Sequence, residues 1–150
     1  MRLLIQRVTS AVCHIGGEAH SSIGGGLMVL VGIGHDDSKE DIEWLAAKLV
    51  AMRIFDDEAG VMNRSVQDVE GEVMVVSQFT LHASTKKGNR PSWIKAAPEA
   101  ISRPLYDAFV QRVEELLGRT VATGSFGADM QIELTNDGPV TIWIDSKNRE

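Results

Sequence analysis

Cysteine, long apolar runs and positive charge are all scarce in this sequence. Cys13 is the only cysteine among 150 residues, so an intramolecular disulfide and a Cys-x-x-Cys zinc pair are both excluded. No stretch approaches the ~20 apolar residues that a membrane span requires, and Arg7 brings a second charge before a signal-like apolar run develops. These absences predict a cytoplasmic protein that is neither secreted nor inserted into a membrane.

The net charge is −6, which argues against a protein that coats DNA or RNA by bulk electrostatics, because neutralising phosphates requires clustered Lys and Arg. The charges are unevenly distributed, however. Residues 73–98 contain no Asp or Glu, and they hold four basic residues, Lys86, Lys87, Arg90 and Lys95. One locally basic segment therefore lies on an acidic protein.

The sequence does contain short apolar segments separated by turn residues. Its composition, 43% hydrophobic and 24% charged, is typical of a folded protein, and its length predicts one domain over residues 1–150. Residues 2–8 and 11–15 have strand-like patterns, the second ending in a turn at Gly16-Gly17, and together they predict an N-terminal hairpin. A near-continuous apolar run at 27–33 predicts a buried central strand. Residues 72–81 contain a second such strand, Val73 to Val76, with Ser77 to Leu81 at its end.

Two helices are predicted from apolar residues at helical spacing. Ser38 is a good N-cap for the first helix, which extends over about residues 39–54. Ser102 is the expected N-cap of the second helix, with Pro104 tolerated in its first turn and Gly118 at its end.

Residues 82–97 show little periodicity and predict a long loop, the kind of segment that often carries binding residues. Two final strands are predicted at 130–134 and 140–144, joined through 135–139. The order of elements is neither a regular βαβ alternation nor an all-β pattern. It predicts an α+β fold.

Few residues indicate chemistry on their own. Cys13 and His14 are neighbours on a strand and so point to opposite faces, which excludes a direct thiol–imidazole pair. The four histidines match no common metal-ligand spacing, and no metal or cofactor is expected. Ser77 to Thr80 lie at a strand end, and Gly138-Pro139, taken alone, predicts a hairpin turn.

Two motifs taken together carry a family resemblance. Ser77-Gln78-Phe79-Thr80-Leu81 after a Val-rich strand and Asn136-Asp137-Gly138-Pro139-Val140-Thr141 near the C-terminus resemble the signatures of D-aminoacyl-tRNA deacylases. Further stretches match the family in the same order along nearly the whole chain, namely Gln6-Arg7-Val8, His35-Asp36-Asp37, Met62-Asn63, Gly88-Asn89-Arg90-Pro91-Ser92 and Phe126-Gly127-Ala128-Asp129-Met130. Several spaced motifs in one order are more specific than any one motif.

The resemblance implies an α+β barrel-like core and a homodimer. In such a dimer a cis Gly138-Pro139 bond of one subunit enters the active site of the other. The implied substrate is the ester between a D-amino acid and the 3′-terminal adenosine of tRNA, and glycine, which has no side chain, is a possible unwanted substrate.

The resemblance also implies residue roles. The expected catalytic segment is Ser77, Gln78, Phe79 and Thr80, in which backbone amides around Gln78 to Thr80 would stabilise the oxyanion. We expect Thr80 not to be acylated, because no base is obviously placed to activate it, and the tRNA 2′-hydroxyl to assist the reaction. Further expected roles are the Gly-Pro turn bound by Arg7, a pocket lined by Phe79 and Met130, and tRNA phosphates bound by Lys86, Lys87 and Arg90.

Two other functions remain open at this point. One is a non-catalytic RNA-binding regulator that uses the loop from Lys86 to Lys95, although the net charge of −6 weighs against it. The other is a related deacylase that removes L-alanine from tRNA, with a trans Gly-Pro bond and a different Ser-Gln-Phe-Thr motif. The intact motif from Ser77 to Thr80 favours the D-specific branch.

Overall fold

The computed structural model describes residues 1–149. The α+β fold is confirmed. Its first half comprises β1 (Arg2–Ile15), β2 (Glu18–Ile23), β3 (Gly26–Gly32), α1 (Lys39–Ala51), β4 (Phe55–Asp56) and β5 (Met62–Arg64). Its second half comprises β6 (Glu72–Ser77), a 3-10 turn (Phe79–His82), α2 (Glu99–Leu117), β7 (Ala122–Thr123) and β8 (Gln131–Asp145).

One six-stranded sheet forms the body of the molecule. Its main path runs β2-β1-β3-β6-β7, and β8 lies along the other side of β1. The pairings of β1 are antiparallel, whereas β3–β6 and β6–β7 are parallel. The two ends of the path meet where the Ser21 hydroxyl donates to the Thr123 carbonyl at 2.7 Å. The sheet is therefore a nearly closed barrel, as the resemblance implies.

The central strand β3 is buried on both faces. Leu27, Val29 and Val31 face a core that includes both helices, whereas Met28 faces a second cluster with Met74. This alternation explains the near-continuous apolar run, because a strand covered on both sides has no polar face. The helices supply the first core with a stripe of fully or almost fully buried side chains, Ile42, Leu45, Leu49, Phe109 and Val113.

Helix α1 begins as predicted and ends three residues earlier than predicted. The Ser38 amide donates to the Asp41 carboxylate at 2.8 Å, which is one half of a capping box. The chain leaves the helix at Met52, which has extended backbone angles. Beyond it the Ile54 carbonyl accepts a hydrogen bond from Arg7 Nη1 at 2.7 Å. The predicted last helical residue, Ile54, therefore takes part in a long-range contact with β1 instead of in the helix.

The predicted start of the second helix is wrong. The helix α2 begins at Glu99 with Pro98 as N-cap, and Ser102 lies inside it, where its hydroxyl donates to the Pro98 carbonyl at 3.0 Å. Pro104 is consequently in the helix interior, where it leaves only the carbonyl of the exposed Ala100 without its helical donor. The predicted end is confirmed, since Gly118 adopts the left-handed conformation that closes a helix.

The strand β6 ends where the sequence predicts, at the start of the Ser77–Leu81 motif. The strand β6 stops at Ser77, and the chain enters the 3-10 turn. This turn packs against Gly32 so closely that a Cβ atom there would lie 2.8 Å from the Leu81 Cβ. The absence of a side chain at Gly32 therefore lets the segment after Ser77 fold back over the end of β3.

The C-terminal hairpin predicted from Gly138-Pro139 is also wrong. Residues 131–145 form the single strand β8, which runs antiparallel along the whole of β1. Its register jumps where Val8 pairs with Asn136 and Gln6 pairs with Thr141, so four residues oppose Arg7 alone. Residues 137–140 therefore form a bulge that projects from a continuous strand, and the unbroken partner β1 explains why the chain does not turn back.

Candidate active site

A pocket of about 290 Å³ opens beside the 3-10 turn. Its floor consists of apolar residues from β3, β6 and β8, and one wall is the segment 126–130. The predicted site residues Ser77, Gln78, Phe79 and Met130 all line it. The sequence motif and Met130, about fifty positions apart, therefore meet in one cavity, as the family resemblance implies.

Two backbone amides of the motif take no part in the hydrogen bonds of the sheet or of the 3-10 turn, although Thr80 is not among the residues that line the pocket. The Gln78 amide donates to the Val31 carbonyl at 2.7 Å and so belongs to the sheet. The bonds of the 3-10 turn begin at the Gln78 carbonyl, which accepts from Leu81, so the Phe79 and Thr80 amides precede the first bonded amide. The expected oxyanion donors are thereby reduced to these two.

The Thr80 hydroxyl is held by an amide and not by a base. Gln78 Nε2 donates to Thr80 Oγ1, so the hydroxyl oxygen acts as an acceptor in this contact. Activating a hydroxyl for attack requires a group that accepts its proton, and an amide nitrogen cannot do so. The contact positions Thr80 and does not make it a nucleophile.

Asp129 is the ionisable side chain of the pocket lining, and sequence reasoning did not single it out. It is exposed at the pocket edge, next to Met130 on the wall. The sequence marks Asp129 only as one member of the motif Phe126-Gly127-Ala128-Asp129-Met130, which contributes to the family resemblance. Nothing in the motif itself showed that a carboxylate would face the cavity.

The Gly-Pro bulge lies against Arg7. Within residues 1–149 the hydrogen bonds of Arg7 go to the Ile54 carbonyl and the Asp56 carboxylate, and not to a carbonyl of the Gly-Pro dipeptide. The Gly138-Pro139 peptide bond is cis, and this expectation from the resemblance is confirmed. Arg7 is only 7% exposed, its Nε lies 3.0 Å from the Asp137 carboxylate, and its Nη2 is 3.0 Å from where a Cβ of Gly138 would lie. This ion pair is close but not aligned as a hydrogen bond, because Arg7 Nε has no hydrogen-bond partner.

The bulge and the pocket are separate within one chain. Gly138 and Pro139 are both exposed, and neither lines the pocket that contains Ser77 to Phe79. The structure thus brings Arg7 to the bulge and Met130 to the Ser77 motif, but it does not bring the two motifs together.

Lys86, Lys87 and Arg90 are exposed on the loop between the 3-10 turn and α2. Within residues 1–149 none of these side chains forms an ion pair with a carboxylate. The same loop presents Trp93, whose ring meets that of Phe79 edge to face with centroids 5.3 Å apart. The basic loop is therefore attached to the pocket by an aromatic contact.

His82 is a buried base behind the site. It is 7% exposed, and its Nε2 has no hydrogen-bond partner. Its ring fills the space left by two glycines, since Cβ atoms at Gly32 and Gly34 would lie 3.1 and 3.2 Å from it. Burial lowers the pKa of His82 below 6.5, because the charged ring is poorly solvated.

This lowered pKa predicts a loss of stability in mild acid. Below about pH 6.5 an unfolded chain binds a proton at His82 that the folded chain does not bind, so stability falls as pH decreases through the window below 6.5. We expect the urea midpoint to fall between pH 7.5 and 5.5, and to fall less in His82→Gln. The exposed His20→Gln is the matched control. Equal slopes in His82→Gln and the parent protein would contradict the prediction.

No helix within residues 1–149 is both long and apolar enough to cross a membrane.

In comparisons with known proteins, residues 4–145 match the family model described as D-Tyr-tRNA(Tyr) deacylase. Proteins named D-aminoacyl-tRNA deacylase from Parabacteroides distasonis and Bacteroides thetaiotaomicron are 63% and 58% identical over 150 residues, covering 100% of each chain. A solved structure titled c-Myc DNA Unwinding Element Binding Protein superposes with a TM-score of 0.92 at 38% identity, covering 97% of this chain and 98% of that one.

Proposed function

The chain belongs to the D-Tyr-tRNA(Tyr) deacylase family, and we propose that its pocket holds the terminal ester of D-aminoacyl-tRNA while the Gly-Pro bulge of a second copy selects the D hand. Its activity is that of a D-aminoacyl-tRNA deacylase, a hydrolase that releases the D-amino acid from tRNA. We assign this proofreading activity to the cytoplasm, where translation uses aminoacyl-tRNA.

The separation of bulge and pocket is the observation that carries the proposal. Gly138 and Pro139 project from the middle of β8 into solvent, and within residues 1–149 no strand pairs with the outer edge of this 15-residue strand. A long unpaired edge is normally covered in a native protein. A second copy related by a twofold axis would cover both edges at once and place each bulge at the other pocket.

A rigid backbone bulge can discriminate a D- from an L-amino acid without contacting the amino acid's side chain. The carbonyls of Gly138 and Pro139 are acceptors that an α-ammonium group can reach whatever side chain is attached. With the ammonium and the ester both held, the side chain of an L-amino acid would point into the protein and be rejected by steric conflict. Glycine has no side chain to reject, so Gly-tRNA should be cleaved as well.

In this proposal the pocket acts by orienting the ester and by stabilising the oxyanion that forms during hydrolysis. The Phe79 and Thr80 amides would donate to the oxyanion that forms as water attacks the ester, and loss of one such donor typically costs ~10²–10³ in rate. No side chain of the Ser77–Thr80 motif contacts a base that could activate it. The tRNA 2′-hydroxyl, next to the scissile ester, would therefore assist the attack on a substrate that the pocket holds in place.

Release of the amino acid from matched tRNAs tests the function. We expect cleavage of D-Tyr-tRNA and Gly-tRNA, and at most about 10⁻² of the D rate for L-Tyr-tRNA, because a clash worth about 3 kcal/mol gives roughly that ratio. Cleavage of L-Ala-tRNA would support the L-alanine deacylase instead. If no ester were cleaved while RNA still bound, the chain would act as a binding regulator.

A further inference from the structure

The loop that links the 3-10 turn to α2 carries an exposed apolar surface beside the pocket. Trp93 is 39% exposed and Ile94 is 80% exposed. Phe79, itself 56% exposed, lines the pocket and contacts Trp93. Phe79, Trp93 and the adjacent Ile94 form an apolar surface that begins at the pocket and leads outward onto the loop. We call this surface the aromatic track after its two rings.

The backbone around the aromatic track is held in place. Ser84 and Ser92 exchange two backbone hydrogen bonds of 2.9 Å, which close the base of the loop tip. On the far side of the track, the Ala97 amide donates to the Ile33 carbonyl at 2.9 Å, and His35 Nε2 lies 3.2 Å from the Ile94 carbonyl. Trp93 and Ile94 are therefore presented from both ends by the barrel, so their exposure is not that of a loose loop.

The charge carried by the loop itself is of one sign, whereas the carboxylates of Asp36 and Asp37 line a neighbouring pocket beside Ile94 and Lys95. Lys86, Lys87 and Arg90 lie on the loop tip, Lys95 follows Ile94, and all four are exposed. Residues 73–98 contain no carboxylate, in a chain whose net charge is −6. A base-stacking surface bordered by cations is the arrangement that proteins use to bind single-stranded nucleic acid, with aromatic rings for the bases and Lys or Arg for the phosphates.

Resting on the proposed function, we propose that the aromatic track binds the unpaired nucleotide that precedes the terminal adenosine of tRNA, with its base against Trp93. If the adenosine ester occupies the pocket beside Phe79, the next base lies one nucleotide further along the strand. The Trp93 ring, in direct contact with Phe79 at 5.3 Å between centroids, is the next exposed ring along the loop from the pocket.

This assignment separates binding from chemistry. Trp93 does not line the pocket, so it would hold the tRNA end without touching the ester. Because every tRNA ends in the same unpaired C-C-A sequence, contacts to the penultimate nucleotide would strengthen binding of all aminoacyl-tRNAs equally. The D hand would still be selected by the bulge, and the basic tip would bind the phosphates on the outer side of the strand.

A double-mutant cycle that combines one protein substitution with one modification of the tRNA tests the proposal. D-Tyr-tRNA is prepared with an abasic ribose at the penultimate position, and Trp93→Ala is assayed with the intact and the abasic substrate. We expect either change alone to raise KM about tenfold, within the 5- to 150-fold range for loss of one stacked base, at constant kcat. Because both changes remove the same contact, the two together should raise KM no further.

Conservative and charge-matched variants complete the test. Trp93→Phe should restore most of the affinity, and the double variant Lys86→Ala/Lys87→Ala should raise KM more at low salt than Lys39→Ala/Lys48→Ala, which removes two exposed charges from α1. Additive effects of Trp93→Ala and the abasic ribose, or an unchanged KM, would overturn the proposal. A parent protein that cleaves neither substrate would instead contradict the proposed function.

Discussion

Replacing Gly138 with alanine is expected to lower kcat/KM for D-Tyr-tRNA by about 10²-fold, the cost of misplacing a positioning group by about 1 Å. The residue has φ +114°, a conformation that a side chain strains, and the new Cβ would lie 2.8 Å from Val140 Cγ2 and 3.0 Å from Arg7 Nη2. The Arg7 side chain cannot easily move away, because it is buried and its Nη1 donates a hydrogen bond to the Ile54 carbonyl at 2.7 Å. The bulge itself must therefore move.

Gly16→Ala is the matched control for the Gly138 variant. Gly16 also has a positive φ, +61°, but an added Cβ meets nothing within 4 Å there. The control should lose some stability from backbone strain and keep its activity. Thermal unfolding measured beside the D-Tyr-tRNA and L-Tyr-tRNA rates separates the two effects. Full activity in Gly138→Ala would show that the position of the bulge does not matter to the reaction.

Removing the 2′-hydroxyl from the substrate should have a larger effect than removing the hydroxyl of Thr80. A D-Tyr-tRNA that ends in 2′-deoxyadenosine, charged chemically at its 3′-hydroxyl, is expected to react about 10²–10⁴-fold more slowly, the usual contribution of a positioned proton-transfer group. Thr80→Ala should change kcat less than tenfold, because Thr80 Oγ1 contacts an amide nitrogen of Gln78 and not a base. Single-turnover rates isolate the chemical step.

Asp129→Asn is the necessary companion variant, because Asp129 is the ionisable side chain of the pocket lining. If its carboxylate were the base, the Asn variant would lose the rate that we assign to the 2′-hydroxyl, and the deoxy substrate would react nearly normally. A trapped acyl group on Thr80 would contradict the proposal that Thr80 is not the nucleophile. So would abolished turnover in Thr80→Ala with tRNA binding intact.

Local chemistry predicted the elements whose ends depend on their own residues. Ser38 begins α1 and Gly118 ends α2 because an N-cap and a left-handed glycine act through hydrogen bonds to the adjacent turn. Predictions failed where the structural partner is distant in sequence. Ile54, predicted as the last residue of α1, instead accepts a hydrogen bond from Arg7 on β1.

The strongest such failure concerns Gly138-Pro139. As a dipeptide it indicates a turn between two strands, yet β1 pairs with residues on both sides of it and keeps β8 continuous. The resemblance assigned a role to the dipeptide but could not show its shape. Asp129 was missed for a related reason, since nothing in a short motif tells which side chain will face a cavity built by three other segments.

By itself the sequence determined the fold class, the family and the two motifs, because periodicity, caps and ordered motifs are properties of residues near one another in the chain. The tertiary structure alone decided that Ser77 and Met130 share a pocket, that the Phe79 and Thr80 amides stay outside the bonds of the 3-10 turn, and that Gly138 and Pro139 do not line that pocket. These facts depend on pairing between distant strands, whose register is set by the burial of both faces of the sheet.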